Sequence, residues 1–294
     1  ARAVGKEDSE QASFGDALCT WPCRSGPLRP AGAAPAAEPS FGASGSRAQP
    51  WPPEEGLSGR PSQAASALFE LLRRERHSLE YLSPTLKEEL WRRMDCIREG
   101  DLGVRRLDAE RLCGRAGIGY QEIYSGPEMT LCVFVLRAGA HIPLHDHPYM
   151  HVFGRLLFGR MRVLSFDAEP ASLEGRGGGA SAGGAKWAYL RSDDVLGPSP
   201  VMYGLGPDEG NLHELHALED CAFFDVVVPP YDASAGRNCT YYAPAANSTG
   251  RHPEEYAAPG TGKCLLVPIA PHGFFTETLK YAGPPFSSAQ GTLA

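Results

Sequence analysis

Two histidines separated by one residue, His145 and His147, have the types and spacing most able to do chemistry in this sequence. In an extended strand, side chains at positions i and i+2 project from the same face, so the two imidazoles can converge on one point. Imidazole is the commonest side-chain ligand of first-row transition metals, and two of them supply half or more of a metal site. The alternative is a solvent-facing pair at the edge of a strand. The residues around the pair favour the metal site.

The surroundings of the pair resemble the first motif of the cupin family, Gly-x5-His-x-His-x3,4-Glu-x6-Gly. Gly139 precedes His145 with the required spacing, and Gly159 closes the motif. The position of the glutamate, which is a metal ligand in that motif, is occupied by Val152. The pattern therefore predicts a metal site from which the carboxylate ligand is missing.

A third histidine, His213, stands where the second cupin motif places its histidine. It follows Gly210 with the spacing of that motif, although Pro207 is one residue out of register and Ala217 replaces the closing asparagine. We therefore predict that His213 completes a three-histidine metal site with the pair.

The absence of a carboxylate ligand bears on which chemistry the site supports. Three neutral imidazoles leave the full charge of a divalent metal uncompensated, and such a site favours a soft anionic ligand. A thiolate is the obvious choice, because a metal ion lowers the pKa of a coordinating thiol until it is deprotonated. Three ligands on one face also leave adjacent positions for sulfur, for an amine or water, and for dioxygen.

Three longer segments, IPLHDHPYMHVFGRLLFG, NLHEL and FFDVVVPPYDASAGRNCTYY, extend the comparison. They resemble the cysteamine (2-aminoethanethiol) dioxygenase and plant cysteine oxidase family of cupin thiol dioxygenases, over roughly residues 66–243. The resemblance implies iron(II), dioxygen as co-substrate, and oxidation of a thiol to a sulfinic acid, a chemistry used in oxygen sensing. It also implies that the substrate is cysteamine or a protein with an N-terminal cysteine, and the sequence does not choose between them.

Asp225 is the one charged residue in the most apolar run of the chain, Ala222 to Val228. An ionised carboxylate in such a run needs a partner, which could be an arginine or a backbone amide. The position also matches an acidic residue of the family, which implies that Asp225 faces the metal and holds the ammonium group of the substrate. We favour the second interpretation.

Cys239 and Tyr241 are two residues apart and share a face if they lie on a strand. The family resemblance implies a thioether cross-link between them that modulates activity. A free cysteine beside a core tyrosine is the equally weighted alternative.

Two other functions compete with this hypothesis. One is a binding or storage cupin without enzymatic activity. The other is a cupin isomerase that uses a different divalent metal as a Lewis acid. Isomerases of that kind usually retain the carboxylate ligand that Val152 replaces here, which argues against them.

Short runs rich in Val, Phe, Leu and Tyr, separated by Gly and Pro, predict the strands that position these residues. The predicted strands are 129–137, 141–145, 151–158, 160–166, 187–190, 201–205 and 220–228. Many short strands without helical patterns between them are typical of an antiparallel sandwich or barrel. With the motifs, they predict a mainly β fold: a cupin-type antiparallel β-barrel (double-stranded β-helix) with short N-terminal helices.

The helices are predicted at 64–76 and after Ser83, which serves as N-cap with Pro84 at the first helical position. We expect both to pack on the outside of the barrel. Residues 1–62 are rich in Ala, Pro, Gly and Ser and are predicted to be a disordered, low-complexity segment. Residues 63–294 are predicted to form the cupin thiol dioxygenase domain, with a Gly-rich insertion at 175–184.

Composition narrows the remaining function classes. The net charge is -7 without a Lys/Arg cluster, which argues against a nucleic-acid partner, and no run approaches the length of a membrane span. The eight cysteines are sparse for a disulfide scaffold, and Cys132 and Cys221 lie in apolar runs as predicted free, buried thiols. We expect a cytoplasmic monomer. A nuclear location or an organellar transit peptide is the alternative.

Overall fold

The chain folds as short helices followed by β-strands. The structure, a computed structural model, describes residues 62–79, 81–169, 184–197, 201–245, 263–271 and 273–285. Within these ranges the α-helices are α1 (Gln63–Arg74), α2 (Pro84–Asp95) and α3 (Ala109–Cys113). The strands are β1 (Ile118–Ser125), β2 (Thr130–Leu136), β3 (His141–Asp146), β4 (His151–Phe158), β5 (Met161–Ala168), β6 (Lys186–Leu196), β7 (Val201–Leu205), β8 (Leu212–Ala217), β9 (Cys221–Val228), β10 (Tyr241–Pro244), β11 (Lys263–Ile269) and β12 (Glu277–Lys280).

The strands form two sheets. The first has six strands in the order β12-β1-β2-β9-β4-β7, and all its neighbours are antiparallel except β1 and β12. The second, in the order β10-β11-β6-β5-β8-β3, is antiparallel throughout and closes into a barrel. The predicted mainly β fold with an antiparallel, cupin-type barrel is therefore confirmed.

Strand β9 lies between β2 and β4 and is buried on both faces, which is why its sequence is an almost unbroken apolar run. Phe224 and Val226 pack in the core under the helices, whereas Cys221 and Phe223 pack in the core between the sheets. Because side chains alternate along a strand, Asp225 faces the interior between the sheets, as Phe223 does. The fold thus turns the one carboxylate of this strand toward the sheet that carries His145 and His213.

The helices cover the outer face of the first sheet, as predicted. Ser83 accepts a hydrogen bond from the backbone of Leu86 and Pro84 is the first helical residue, so the predicted start of α2 is confirmed. Helix α1 begins at Gln63 with Ser62 as its N-cap and ends at Arg74, two residues earlier than predicted. The apolar residues of both helices are buried in one core with β2, β4 and β9: Leu68, Leu72, Leu86, Leu90 and Met94.

Several strands were not predicted by the sequence pattern. Strands β1, β8, β10, β11 and β12 are new, and β6 extends to Leu196. Strand β8 reads LHELHA, in which polar residues on both faces conceal the apolar alternation, yet it is buried at every position except His216. Strand β8 is important because it carries His213.

Some predictions concern residues outside the described ranges: residues 1–61, and 175–183 of the Gly-rich stretch. Cys132 and Cys221 are buried and form no disulfide, as predicted. None of the helices in the described ranges is long and apolar enough to span a membrane.

Removing residues 1–61 should leave the thermal stability and activity of the remaining chain unchanged. The removed stretch is low in apolar residues with helical or strand spacing, and the shortened chain retains Ser62, whose hydroxyl caps α1. Removing residues 1–74 is the matched comparison. It also deletes the fully buried Leu68 and Leu72 and should cost several kcal/mol of folding free energy, measurable by thermal denaturation. A soluble, metal-loaded but inactive 62–294 chain would show instead that the first 61 residues belong to the site.

Candidate metal centre

The pairing of β3 with β8 and a backbone hydrogen bond just beyond it bring the predicted ligands together. His145 of β3 lies directly opposite His213 of β8 in the antiparallel pair. A register irregularity between Ile142 and His145 precedes this pair in β3. His147 is the first residue after β3, and its backbone N–H lies 3.2 Å from the carbonyl oxygen of Asn211. The Asn211 side chain returns a hydrogen bond of 2.6 Å to the His147 carbonyl, which fixes this turn against the start of β8.

The three imidazoles meet at their Nε2 atoms. The distances are 3.1 Å from His147 to His145, 3.1 Å from His147 to His213, and 3.2 Å from His213 to His145. Each nitrogen carries either a hydrogen or a lone pair, so three of them cannot satisfy one another by hydrogen bonds. A cation among three lone pairs resolves this conflict. Among the described residues, these three buried histidines form a group that could hold a metal ion.

The spacing of the three Nε2 atoms is compatible with binding to a single metal ion. Nitrogens bound at about 2.1 Å to one metal ion are about 3.0 Å apart at an angle of 90° and about 3.4 Å apart at the tetrahedral angle. The observed 3.1–3.2 Å lies between these two values, so one ion could be bound by all three nitrogens. Three ligands on one side of an ion would leave its other side open to substrates.

The protonation of two ligands follows from their partners. Nδ1 of His145 lies 2.8 Å from the Pro143 carbonyl oxygen, which can only accept, so Nδ1 donates and Nε2 presents its lone pair. The Tyr231 hydroxyl lies 2.9 Å from the Asp146 carbonyl oxygen and 2.9 Å from Nδ1 of His147. It donates its one hydrogen to the carbonyl and therefore accepts from His147, whose Nε2 is likewise free to bind a metal.

Burial favours the neutral, metal-binding form of all three ligands. It lowers the pKa of His145, and it lowers the pKa values of His147 and His213 well below the usual range. The mutual proximity of the rings lowers the pKa further for His147 and His213, since a second positive charge beside the first is unfavourable.

Tyr231 is a site residue that the sequence interpretation did not single out, although the quoted PPYD segment contains it. Burial raises the pKa of Tyr231 well above its usual range, and the adjacent Cys239 thiol raises it further, so the hydroxyl remains protonated. Its position two residues after Pro229, directly behind the apolar β9, is a signal that could have directed attention to it.

Asp146, between the two sequential ligands, is a second residue that was missed. It is 1% exposed, and Oδ2 accepts from Nζ of Lys186 at 2.6 Å and from the Tyr242 hydroxyl at 3.0 Å. Its other oxygen accepts from the backbone N–H of Thr240 at 2.9 Å. These contacts tie the segment between His145 and His147 to β6 and to β10, so the carboxylate has a structural role.

The position of the absent carboxylate ligand is filled by apolar packing. Val152 is 1% exposed and clusters with Met150, Leu205 and Val227, against which Tyr231 also packs. Since Tyr231 contacts His147, this apolar cluster adjoins the metal ligands and keeps this side of the site dry.

Asp225 has a partner that the sequence did not predict, neither an arginine nor a backbone amide. The Tyr203 hydroxyl donates to its Oδ1 at 2.7 Å, and the second oxygen makes no hydrogen bond to any of the described residues. Burial raises the pKa of Asp225 to about 7, and the hydrogen bond from Tyr203 opposes this rise. The carboxylate is thus partly ionised at neutral pH, with one oxygen open to a ligand.

A glycine makes the Tyr203–Asp225 contact possible. Gly154 of β4 lies between Asp225 of β9 and Tyr203 of β7 in the register of the sheet. A Cβ atom at Gly154 would lie 2.1 Å from Cζ of Tyr203, so the tyrosine ring passes directly over this residue to reach Asp225.

Tyr241 lies near the ligands, and Cys239 lies near Tyr231. Tyr241 is paired with His145 across β10 and β3, with ring centroids 5.8 Å apart. Cys239 precedes β10, forms no disulfide, and interacts with the Tyr231 hydroxyl. Both residues therefore lie in the surroundings of the site, and the cross-link between them stays a prediction.

The closed antiparallel barrel and the buried histidine group define a cupin-type protein with a three-histidine site able to hold a metal ion. The chain belongs to the PCO_ADO family, whose sequence profile matches residues 93–286. The matched range contains every strand described above and all three histidines.

Two curated relatives illustrate the family. Plant cysteine oxidase 2 of Arabidopsis thaliana is 36% identical over 154 residues, which cover 51% of this chain and 54% of the relative. The 2-aminoethanethiol dioxygenase of Homo sapiens is 33% identical over 143 residues, which cover 42% of this chain and 52% of the relative. The chain thus spans about half the length of the curated relatives it matches.

Among solved structures, a cupin superfamily protein from Desulfitobacterium hafniense is 9% identical with a TM-score of 0.30 and covers 43% of this chain and 91% of that chain. The fold class assigned above accordingly rests on the strand pairing of this chain and on its family.

Proposed function

We propose that the chain is an iron(II)-dependent thiol dioxygenase that acts on an aminothiol: cysteamine or the N-terminal cysteine of a protein. Both atoms of dioxygen are transferred to sulfur, R–SH + O2 → R–SO2H. Sulfur loses the four electrons that dioxygen gains, so the reaction needs no other reductant. The observation that carries the proposal is the converging group of three neutral imidazoles, with no carboxylate ligand among the described residues.

His145, His147 and His213 would hold the iron, which would supply a site for the thiolate and for dioxygen as well as the redox chemistry. The chain itself fixes the ligands. The Pro143 carbonyl and the Tyr231 hydroxyl set two of the imidazole tautomers, and Asp146 anchors the segment between them. Such outer contacts typically change metal affinity or activity by 10- to 100-fold when they are removed.

Asp225 would bind the ammonium group that both candidate substrates carry close to sulfur. Its open carboxylate oxygen faces the interior between the sheets, where most neighbouring side chains are apolar. Tyr203 would hold that carboxylate in position and keep it ionised, since a hydrogen bond to the charged form favours ionisation.

Replacing Tyr203 by Phe tests this role. Without the hydroxyl, the pKa of Asp225 should rise above its value of about 7, by about one to two units for a hydrogen bond to a charged group. The acid limb of the pH profile of kcat/KM should move to higher pH by the same amount, while the iron content stays constant. The exposed Tyr189 provides a control, because Tyr189→Phe should leave the profile in place. If the pH profile of Tyr203→Phe is unshifted, Tyr203 has no role in substrate binding.

Oxygen consumption by the iron-loaded protein tests the proposed function itself. We expect uptake of one O2 per thiol and formation of the sulfinic acid, measured with an oxygen electrode and mass spectrometry. Cysteamine and a peptide with an N-terminal cysteine are the two substrates, and protein loaded with zinc is the inactive control. If neither thiol is oxidised by protein that contains iron, a non-enzymatic binding cupin becomes the better explanation.

A further inference from the structure

Strand β7 has an unpaired edge. It pairs with β4 on one side and is the last strand of the first sheet, so in the described part of the chain its other side has no strand partner. Unpaired edges present backbone N–H and C=O groups that can receive another extended chain.

Strand β6 has a matching edge. Its first part, Lys186 to Tyr189, pairs with β11, whereas the part from Leu190 to Leu196 pairs only with β5 among the described strands. Among the described strands, these two edges, one in each sheet, therefore have no strand partner.

A cavity of about 210 Å³ separates these two edges. Ser192, Asp194 and Leu196 of β6 line one side, and Met202 to Leu205 of β7 line the other. The metal ligand His213 also lines the cavity. In the register of the sheet, His213 and Ser192 both lie opposite Ser165, and Leu196 lies opposite Met161. The cavity therefore extends from His213 along β6 for about four residues, or about 13 Å.

The exposed part of the cavity is acidic. Asp194 is exposed and makes no hydrogen bond or ion pair with the described residues, whereas its neighbour Asp193 is bound by Arg162 at 2.6 Å. Asp208 is exposed in the turn that leads to Gly210, which also lines the cavity, whereas the adjacent Glu209 is paired with Arg191 at 3.9 Å. An occupant with a positive charge is therefore favoured over a neutral or acidic one.

We propose that the gap between β6 and β7 binds the first residues of a peptide substrate as an added strand, with its N-terminal cysteine at the histidines and a lysine or arginine beside Asp194. This inference rests on the proposed function and deepens it, because it makes the chain following the cysteine part of what is recognised. Cysteamine fills only the end nearest the metal ligands and forgoes every contact along the two edges.

A series of substrates of increasing length tests the added strand. We expect kcat/KM to rise from cysteamine through peptides of two, three and four residues, by about threefold to tenfold per residue, and then to level off. Most of the change should appear in KM. Methylation of a single backbone nitrogen within the first four residues should remove a similar factor, and methylation at the seventh residue should have no effect.

The role of Asp194 is tested by a ratio of specificities. A peptide with lysine at the third residue should have a higher kcat/KM than the same peptide with leucine, and Asp194→Asn should lower that ratio by about threefold to tenfold. Asp193→Asn is the matched control. It removes the same charge from the adjacent residue, which does not line the cavity, and should leave the ratio unchanged.

The measurements distinguish a wrong assignment of the added strand from a wrong assignment of thiol oxidation. If cysteamine and all peptides are oxidised with the same kcat/KM whatever their length and charge, the thiol oxidation stands and the added strand is wrong. Such a result is also expected if another part of this chain or a second copy covers the two edges. If no thiol is oxidised, binding of fluorescent peptides that begin with serine is measured directly. A Kd that falls with length supports the binding gap, and no binding overturns it.

Discussion

Replacing His213 by alanine should abolish thiol oxidation and remove most of the bound iron. The three Nε2 atoms meet at a single point, and two imidazoles seldom retain iron(II). We expect the same result for His145→Ala and His147→Ala. Metal content and oxygen uptake, measured on the same preparation, check the prediction.

His216→Ala is the matched control. His216 is on the same strand as His213 but points to the opposite face, where its Nε2 lies 2.6 Å from Glu214. This variant should retain its iron and its turnover, although it loses the same side chain type from β8. Near-normal iron and turnover in His213→Ala would contradict the three-histidine assignment. Thermal denaturation of the metal-free proteins shows whether a loss of iron and turnover in His213→Ala reflects the missing ligand or a failure to fold.

Replacing Asp225 by asparagine should lower kcat/KM for an aminothiol by about ten- to two-hundredfold. The change keeps the shape of the side chain but removes the charge that would pair with the substrate ammonium. A buried hydrogen bond to a charged group is worth about 1.5–3 kcal/mol, which gives this range. The iron content should not change, because Asp225 is not one of the three residues that form the metal-binding group.

An amine-free thiol such as 2-mercaptoethanol is the control substrate. The parent protein should use it poorly, and Asp225→Asn should reduce that turnover little further. Equal losses for amine-bearing and amine-free thiols would assign Asp225 to the oxygen chemistry or to ligand orientation instead.

The same substitution should raise the stability of the metal-free protein at alkaline pH. Burial raises the pKa of Asp225 to about 7, from the ordinary value of 3.8 that it has in the unfolded chain. Asp225 therefore holds its proton more tightly in the folded state than in the unfolded chain, which stabilises the folded state. This stabilisation is full below pH 3.8 and is lost as pH rises through 7. Above pH 7 the ionised carboxylate costs a few kcal/mol that asparagine avoids. A higher melting temperature for Asp225→Asn at pH 8, with little difference near pH 4, is the expected result.

An Asp225→Asn protein that fails to fold would point to the carboxylate as a structural partner of Tyr203. The opposite combination, higher stability with lower activity, is typical of a functional residue kept at a position that is unfavourable for folding.

The sequence by itself determined the features that depend on neighbouring residues. The cupin spacing around His145 and His147, the Ser83–Pro84 start of α2 and the apolar run of β9 all follow from patterns within a few residues. Caps and alternation are local in origin, because they reflect backbone geometry and one buried face. The missing carboxylate at Val152 was equally visible, since a motif position is read directly from the chain.

Only the tertiary structure decided which distant residues meet. The pairing of β3 with β8 places His145 opposite His213, although β8 has no clear strand pattern. The passage of Tyr203 over Gly154 to Asp225 depends on the register of β7, β4 and β9, and the contact of Tyr231 with His147 depends on the turn after β9. A one-residue change of register would move every side chain of a strand to its other face. Such contacts are fixed by the packing of the whole sheet. For this reason the sequence predicted the three histidines that meet in the structure, but neither the tyrosine that contacts His147 nor the one that holds Asp225.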